Sequence, residues 1–173
     1  MDHLKSKIRH VPDFPKPGIL FYDITTLLRD PVGLNELLKG LSEPFRDQEI
    51  DLIVGIESRG FILGAAMADR LGSGFVPMRK PGKLPGSTLR QSYELEYGTD
   101  TLEVHDDAIG PGQRVLIVDD LLATGGTARA ALDLIKQTGG EVIGAAFLVE
   151  LTFLGGRARL DDTPIFVGLT YDD

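Results

Sequence analysis

The segment from residue 114 to residue 127, RVLIVDDLLATGGT, restricts the possible folds of this chain more than any other. Residues 115–118 form an uninterrupted apolar run, which predicts a strand covered on both faces, as in a parallel sheet. Asp119 and Asp120 follow at the carboxyl end of that strand, where open α/β sheets bind ligands. The pattern ARAALDLIKQ comes next and predicts a helix. A strand, a polar loop and a helix in this order indicate an α/β fold.

The loop between this strand and this helix is suited to a phosphate group. It consists of Ala123, Thr124, Gly125, Gly126 and Thr127. The two glycines let several backbone N–H groups point at one anion, and the helix N-terminus adds partial positive charge. With the two carboxylates available for sugar hydroxyls, the segment predicts a sugar-phosphate site. It contains neither a Walker loop nor a Rossmann fingerprint. The plain alternative is an ordinary strand–loop–helix connection with an N-cap threonine.

The rest of the chain repeats this alternation of strands and helices. Further strands are predicted at residues 51–57, 74–80, 141–151 and 164–169, and helices at 3–10, 31–46 and 61–71. Such alternation implies a doubly wound, mostly parallel sheet. Residues 81–112 lack a crossover helix and instead predict a flap with a small hairpin. We therefore expect a single domain over residues 1–173.

Bulk properties exclude several classes of protein. The 173 residues carry a formal net charge of −8, which argues against a nucleic-acid-binding surface. No apolar run approaches membrane-spanning length, and the first ten residues lack the apolar core of a signal peptide. The expected location is therefore the cytoplasm, with no membrane partner. The absence of cysteine excludes disulfides and thiolate metal sites.

Two more segments carry candidate anion-binding residues. In GIESRG, Ser58 and Arg59 follow a predicted buried strand and could bind an anion through amides and a guanidinium. In RKPGK, Arg79, Lys80 and Lys83 place three cations within five positions. For each segment the alternative is a charged surface loop exposed to solvent.

Several sequence blocks resemble those of the type I phosphoribosyltransferases and occur in the same order along the chain. Their residues are most similar to the adenine-specific members of that family. They are VDDLLATGGT, residues 12–25 (PDFPKPGILFYDIT), 55–61 (GIESRGF), 79–86 (RKPGKLPG) and 92–100 (SYELEYGTD). The resemblance implies transfer of the 5-phosphoribosyl group from phosphoribosyl diphosphate (PRPP) to adenine, giving AMP and pyrophosphate. A phosphoribosyltransferase for another base such as xanthine, and a non-catalytic PRPP-sensing regulator, are the alternatives.

The resemblance also implies roles for individual residues. Asp119, Asp120 and the loop from Ala123 to Thr127 would hold the ribose 5-phosphate part of PRPP. The pyrophosphate part would be bound by Ser58, Arg59, Arg79 and Lys83. In this family the turn before Arg59 often contains a non-proline cis peptide, here expected between Glu57 and Ser58.

Adenine recognition and catalysis are assigned by the same resemblance. An N-terminal hood, residues 1–30, would hold adenine between Phe21 and Leu121 or Leu122, with Ile19 beside it. Glu96 on the flap corresponds to the residue that would steer adenine protonation, although it could also be an exposed glutamate on a hairpin. Tyr22 departs from the family, where many members carry a basic residue.

A magnesium ion and a second subunit complete the expectations. Mg²⁺ prefers oxygen ligands and would arrive with PRPP, with no direct protein ligand and water-mediated contact to Asp119 and Asp120 at most. A homodimer is implied by the resemblance alone, and either subunit could contribute Arg79 and Lys83.

Overall fold

The fold is built around one parallel sheet in a computed structural model that describes residues 1–94 and 98–172. The strands in this part of the chain are β1 Arg9–Pro12, β2 Leu20–Asp23, β3 Leu52–Ile56, β4 Gly74–Met78, β5 Thr88–Glu94, β6 Thr99–His105, β7 Arg114–Leu122, β8 Glu141–Leu151 and β9 Ile165–Tyr171. The α-helices are α1 Thr25–Leu28, α2 Pro31–Ser42, α3 Arg59–Leu71 and α4 Gly126–Thr138. Short 3₁₀ helices span Asp2–Lys7, Glu43–Phe45, Thr152–Leu154 and Gly156–Arg159.

The central sheet has five strands in the order β4, β3, β7, β8, β9, and every neighbouring pair is parallel. Each of the five predicted apolar runs forms one of these strands, which confirms the predicted α/β class and the parallel sheet. After β3, the next strand of the sheet, β4, is added on one side of β3. The later strands β7, β8 and β9 are added in order on its other side. The strand order therefore reverses between β3 and β7, the place where open sheets form a ligand crevice at their carboxyl ends.

Both faces of this sheet are covered, because alternate residues of each strand enter opposite cores. One core packs α4 and the β5–β6 hairpin against Ile56, Ile117 and their neighbours. The other packs α2 and α3 against Ile53, Leu116 and their neighbours. This two-sided packing explains why the strands read as continuous apolar runs instead of alternating patterns.

The N-terminus differs from the prediction of a helix over residues 3–10. The 3₁₀ helix ends at Lys7, and residues 9–12 form β1, which pairs antiparallel with β2. Pro12 restricts the chain here and favours an extended edge strand. The predicted helix 31–46 also ends early as an α-helix, at Ser42, because Pro44 cannot donate to an α-helical hydrogen bond.

Between the fourth and seventh strands the chain forms a hairpin of β5 and β6, antiparallel over Thr88–Glu94 and Thr99–His105. Arg79 pairs with Glu103 in an isolated bridge that ties this hairpin to the end of β4. Leu95, Glu96 and Tyr97 lie outside the described residues. Among the residues that are described, no helix is long and apolar enough to cross a membrane.

Candidate active site

A cavity of about 340 Å³ lies at the carboxyl ends of β3 and β7, where the strand order reverses. It brings together two segments that are about sixty residues apart in the sequence. One is the turn Glu57, Ser58 and Arg59, and the other is the stretch from Asp119 to Ala128. The predicted sugar-phosphate loop and the predicted pyrophosphate turn therefore line one cavity.

Close backbone packing holds the turn beside β7. A Cβ atom added to Gly60 would lie 2.8 Å from Asp119 Oδ1 and 2.9 Å from the carbonyl oxygen of Val118. Only glycine therefore lets α3 begin this close to the carboxyl end of β7. The peptide bond between Glu57 and Ser58 is cis, as the resemblance implied.

Two adjacent carboxylates form the floor of the cavity and have different partners. Asp120 accepts a hydrogen bond from Arg59 Nε at 2.5 Å, and its side chain is 12% exposed. Asp119 accepts the backbone N–H of Asp120 at 2.8 Å. Burial, together with the negative charge of Asp120, raises the pKa of Asp119 well above its ordinary value. Ionisation of the buried Asp119 carboxyl group therefore costs free energy, whereas the Asp120 carboxylate is paired with the Arg59 guanidinium.

The loop that follows turns sharply and leads into α4. Gly125 is the N-cap residue of α4 and has a φ of +81°, in the left-handed region that glycine adopts easily. The alternative of a threonine N-cap is therefore not what the structure contains. The loop backbone also packs on Gly156, whose carbonyl oxygen would lie 2.4 Å from a Cβ on Gly125. Sequence reasoning missed Gly156, although the paired glycines at 155–156 were a visible signal.

The cationic loop is placed differently from the prediction. Lys80 lines the cavity, whereas Arg79 and Lys83 are not among its described lining residues. The Arg79 guanidinium instead donates to the Glu57 carboxylate at 3.2 and 3.3 Å, and also to the Lys83 carbonyl oxygen at 3.4 Å. Arg79 is thus one residue removed from the cavity wall, held against the turn that precedes Arg59.

Glu57 also lines the cavity and had no role in the sequence analysis, whereas Lys80 was one of the three candidate cations but was not assigned to the pyrophosphate part. Burial acts against ionisation of Glu57, but hydrogen bonds from the Lys80 amide and the Arg79 guanidinium outweigh it and lower its pKa. Lys80 Nζ contacts the Asp100 carboxylate and donates to the Tyr93 hydroxyl at 2.8 Å. Burial opposes the charge of Lys80, yet these two partners raise its pKa, so the ammonium stays protonated.

A second, smaller cavity of about 110 Å³ adjoins the first. Ile19 and Phe21 from the N-terminal hairpin line it, as does Leu121. The Arg59 guanidinium lies over the Phe21 ring, 5.9 Å from its centroid, in cation–π geometry. Arg59, Asp120 and Leu121 line both cavities.

Leu121 and Leu122 are separated by the structure. Leu121 lines both cavities, whereas Leu122 is 1% exposed, belongs to the core under α4 and lines the larger cavity alone. Neighbouring residues of a strand end point to different faces, which the sequence alone did not resolve here. Of the two leucines that the resemblance offered, Leu121 is the one beside Phe21.

The candidate catalytic residue Glu96 lies outside the described residues. The strand that leads to it ends close to the loop of residues 123–127, because the Glu94 carbonyl oxygen would lie 3.0 Å from a Cβ on Gly126. Tyr93, the residue before Glu94, is buried against α4. The hairpin therefore approaches the same end of the sheet as the larger cavity.

The amino-acid sequence matches a known protein family over most of its length. Residues 25–169 match the phosphoribosyl transferase domain. A protein from Solibacter usitatus named adenine phosphoribosyltransferase is 61% identical over 172 residues, which cover 99% of each chain.

Solved structures agree over nearly the whole chain. The crystal structure of adenine phosphoribosyltransferase from Thermoanaerobacter pseudethanolicus has a TM-score of 0.95 and 53% identity, covering 98% of each chain. The enzyme from Saccharomyces cerevisiae, complexed with an imino-altritol bisphosphate and adenine, has a TM-score of 0.91 and 44% identity, covering 96% of this chain and 97% of its own. With its cavity at the strand-order reversal, its acidic pair and its glycine loop, the chain belongs to the adenine phosphoribosyltransferase family.

Proposed function

We propose that this chain transfers the 5-phosphoribosyl group of PRPP to adenine, giving AMP and pyrophosphate in purine salvage. The observation that carries the proposal is the pair Arg59 and Asp120, which lines a polar cavity on one side and an apolar cavity on the other. A sugar phosphate in the first cavity and a planar base in the second would meet at these two residues. The family to which the chain belongs supports the same reaction.

PRPP is oriented by the two ends of the larger cavity. The 5-phosphate binds the backbone amides of residues 123–127, with Thr124 and Thr127 as hydroxyl donors. Asp119 and Asp120 accept hydrogen bonds from the ribose hydroxyls. The diphosphate then lies towards Ser58, Arg59 and Lys80, with Arg79 and Lys83 as further cations nearby. These positive charges stabilise the diphosphate as the bond between its oxygen and the anomeric carbon breaks.

The residues at this site fit a magnesium ion that arrives with the substrate. Mg²⁺ is usually held by one or two carboxylates together with substrate phosphates, and Asp119 and Asp120 supply two neighbouring carboxylates. Within the described ranges, no group of three or more histidine or acidic side chains is placed to hold a metal. The chemistry that Mg²⁺ supplies when bound is neutralisation of the diphosphate charge. We propose water-mediated contact with the two aspartates.

Adenine binds in the smaller cavity between Phe21 and Leu121, with Ile19 at its edge. The apolar walls exclude water from the oxocarbenium-like centre, where hydrolysis of PRPP would compete with transfer. The new bond forms between adenine N9 and the anomeric carbon. Glu96 would hold the ring proton of adenine on N7, which leaves the N9 lone pair free to attack, and would accept that proton as the new bond forms, acting from the flap as it closes over the site.

The test supplies PRPP and Mg²⁺ with adenine, hypoxanthine, guanine or xanthine in turn, and measures pyrophosphate release. We expect turnover with adenine alone. Turnover with xanthine instead would favour another base specificity, and PRPP binding without turnover on any base would favour a regulator. Glu96→Gln is expected to lower kcat with little change in PRPP affinity.

A homodimer and a cytoplasmic location are part of the proposal. Exposed large apolar side chains lie around the N-terminal hairpin and near the end of β8, namely Phe14, Ile19, Leu20, Phe153 and Leu154. Four of them, Ile19, Leu20, Phe153 and Leu154, line one largely apolar cavity. An exposed apolar surface of this kind marks interaction sites, which supports a second copy as partner. Sedimentation equilibrium tests the dimer, and a monomer at micromolar concentration would contradict it. Cell fractionation tests the location.

A further inference from the structure

We propose that Glu150, Gly156 and Arg157 are positioning residues that hold the phosphate loop, residues 123–127, in the conformation that binds PRPP. The inference rests on the proposed function, because it concerns the same loop. None of the three is among the described residues that line the larger cavity. They act through the loop backbone and not by contact with the substrate.

Two glycines, Gly125 and Gly156, pack backbone against backbone beside the loop. A Cβ on Gly125 would lie 2.4 Å from the Gly156 carbonyl oxygen, and a Cβ on Gly156 would lie 2.3 Å from the Ala123 carbonyl oxygen and 3.0 Å from Gly125 N. The neighbouring atoms are backbone on both sides, so neither could yield by a rotamer change. The loop backbone therefore packs directly against the backbone of Gly156.

An ion pair between Glu150 and Arg157 holds Gly156 in this position. Glu150 pairs in register with Leu122, the last residue of β7 before the loop. Its carboxylate is 4% exposed and accepts two hydrogen bonds from Arg157, from Nε and from Nη2, both at 2.7 Å. Arg157 directly follows Gly156. A buried carboxylate is stable only when it is paired in good geometry, so this two-point pairing fixes Gly156 relative to the ends of β7 and β8.

The far end of the same segment is anchored as well. Leu160 is fully buried in the core under α4. Arg129, in the first turn of α4, donates to the Arg159 carbonyl oxygen at 3.3 Å and to Asp161 Oδ1 at 2.9 Å. The segment from Gly156 to Asp161 is thus held at both ends, across the start of the helix that the loop leads into. A loop backed in this way is already ordered before the phosphate arrives, which lowers the cost of binding.

The sharpest test adds one methyl group, by Gly156→Ala. Gly156 has no positive φ, so alanine fits its backbone and only the added bulk acts on the loop. We expect the dissociation constant for PRPP with Mg²⁺ to rise by about tenfold to a hundredfold, the usual effect of a small misplacement of binding groups. The KM for adenine at saturating PRPP should stay unchanged. Gly110→Ala is the matched control, because its methyl would meet only the Gln113 side chain at 3.4 Å.

The ion pair is tested by Arg157→Met and Glu150→Gln, with Arg157→Lys as the conservative variant that keeps the charge and loses the two-point geometry. PRPP affinity should fall in the first two and be partly restored in the third. Arg114→Met is the control, since Arg114 pairs with Glu141 across the other ends of the same two strands. Thermal unfolding is measured on every variant, with binding titrated well below the midpoint.

The outcomes separate the two proposals. Variants that lose thermal stability but bind PRPP like the wild type would overturn the positioning role and leave a purely structural one. A wild-type chain that does not bind PRPP would overturn the proposed function itself. Loss of PRPP affinity in Gly156→Ala and Arg157→Met, with none in Gly110→Ala and Arg114→Met, is the result expected.

Discussion

An arginine–glutamate pair lies at each end of the parallel sheet, exposed at one end and with a buried carboxylate at the other. At the amino ends of β7 and β8, Arg114 and Glu141 are register partners and form a loose pair at 3.4 Å, with side chains 38% and 60% exposed. Near the carboxyl ends of the same strands, Arg157 and Glu150 form a two-point pair at 2.7 Å around a carboxylate that is 4% exposed.

The buried charges of this sheet, which cost free energy to desolvate, therefore lie at its carboxyl end. Exposed ion pairs contribute little to stability and are screened by salt. Buried carboxylates cost free energy unless they are paired, and the carboxyl end of the sheet contains three buried acidic residues, Asp119, Asp120 and Glu150. Such groups concentrate where the proposed substrate binds, which is typical of sites that trade stability for binding.

The greatest loss of PRPP binding is expected from the two aspartates at the carboxyl end of β7. Asp119→Asn combined with Asp120→Asn should abolish PRPP binding, because the ribose hydroxyls lose their two anionic acceptors and Arg59 loses its partner. Titration calorimetry with PRPP and Mg²⁺ measures this. Asp51→Asn is the control at the amino end, where the exposed Asp51 carboxylate accepts the Arg114 N–H. Unchanged PRPP affinity in the double variant would refute the ribose assignment.

Gly60→Ala is expected to be the next most damaging. Its methyl would meet Asp119 Oδ1 and the Val118 carbonyl oxygen, both under 3.0 Å, so α3 and β7 must move apart. The expected loss is about 1–3 kcal/mol of unfolding free energy, as for other overpacked sites, together with most activity. Gly74→Ala, whose methyl would meet the flexible Leu52 side chain first, is the control. Denaturant unfolding should show at most a small change there.

Asp119→Asn alone should separate stability from binding. Burial and Asp120 raise the folded-state pKa of Asp119, so the folded state holds more protons than the unfolded state, and wild-type stability falls as pH rises towards that raised pKa. Asparagine keeps an oxygen for the Asp120 N–H and carries no charge. The variant should therefore be more stable than the wild type at neutral pH, with weaker PRPP binding. A loss of stability at neutral pH would contradict the assignment.

The smallest effect is expected at the amino end. Arg114→Met should change the unfolding free energy by no more than about 0.5 kcal/mol and leave PRPP affinity untouched, as is usual for exposed pairs. Thermal unfolding at low and high salt measures the change. A large loss would mean that the two ends of the sheet differ less than their burial indicates.

Much of this arrangement was predictable from sequence, and the reason lies in local patterns. Residues 115–118 are apolar at every position because both faces of β7 are covered. Glycines at 125–126 indicated a turn that points amides at an anion. The N-terminal helix was predicted too long, because the pairing of β1 with β2 depends on a strand that comes later in the chain.

Contacts between distant segments were beyond local patterns. The choice between Leu121 and Leu122 depended on which way a strand end faces, and the pairing of Arg79 with Glu57 depended on how two loops meet. Lys80 rather than Arg79 lines the cavity for the same reason. Each of these outcomes depends on the direction in which a side chain points at a strand end or in a loop. Composition and residue spacing do not determine that direction.

The parallel sheet and the acidic pair followed by a glycine loop could be predicted from the amino-acid sequence, as could the carboxyl end as the proposed binding end. These depend on hydrophobic periodicity and backbone freedom, which are properties of short segments. The packing of Gly156 on the loop, and the pair of Glu150 and Arg157 beside it, became visible in the folded chain. Both required the β7–β8 register and the return of the chain after β8, which bring together atoms more than thirty residues apart.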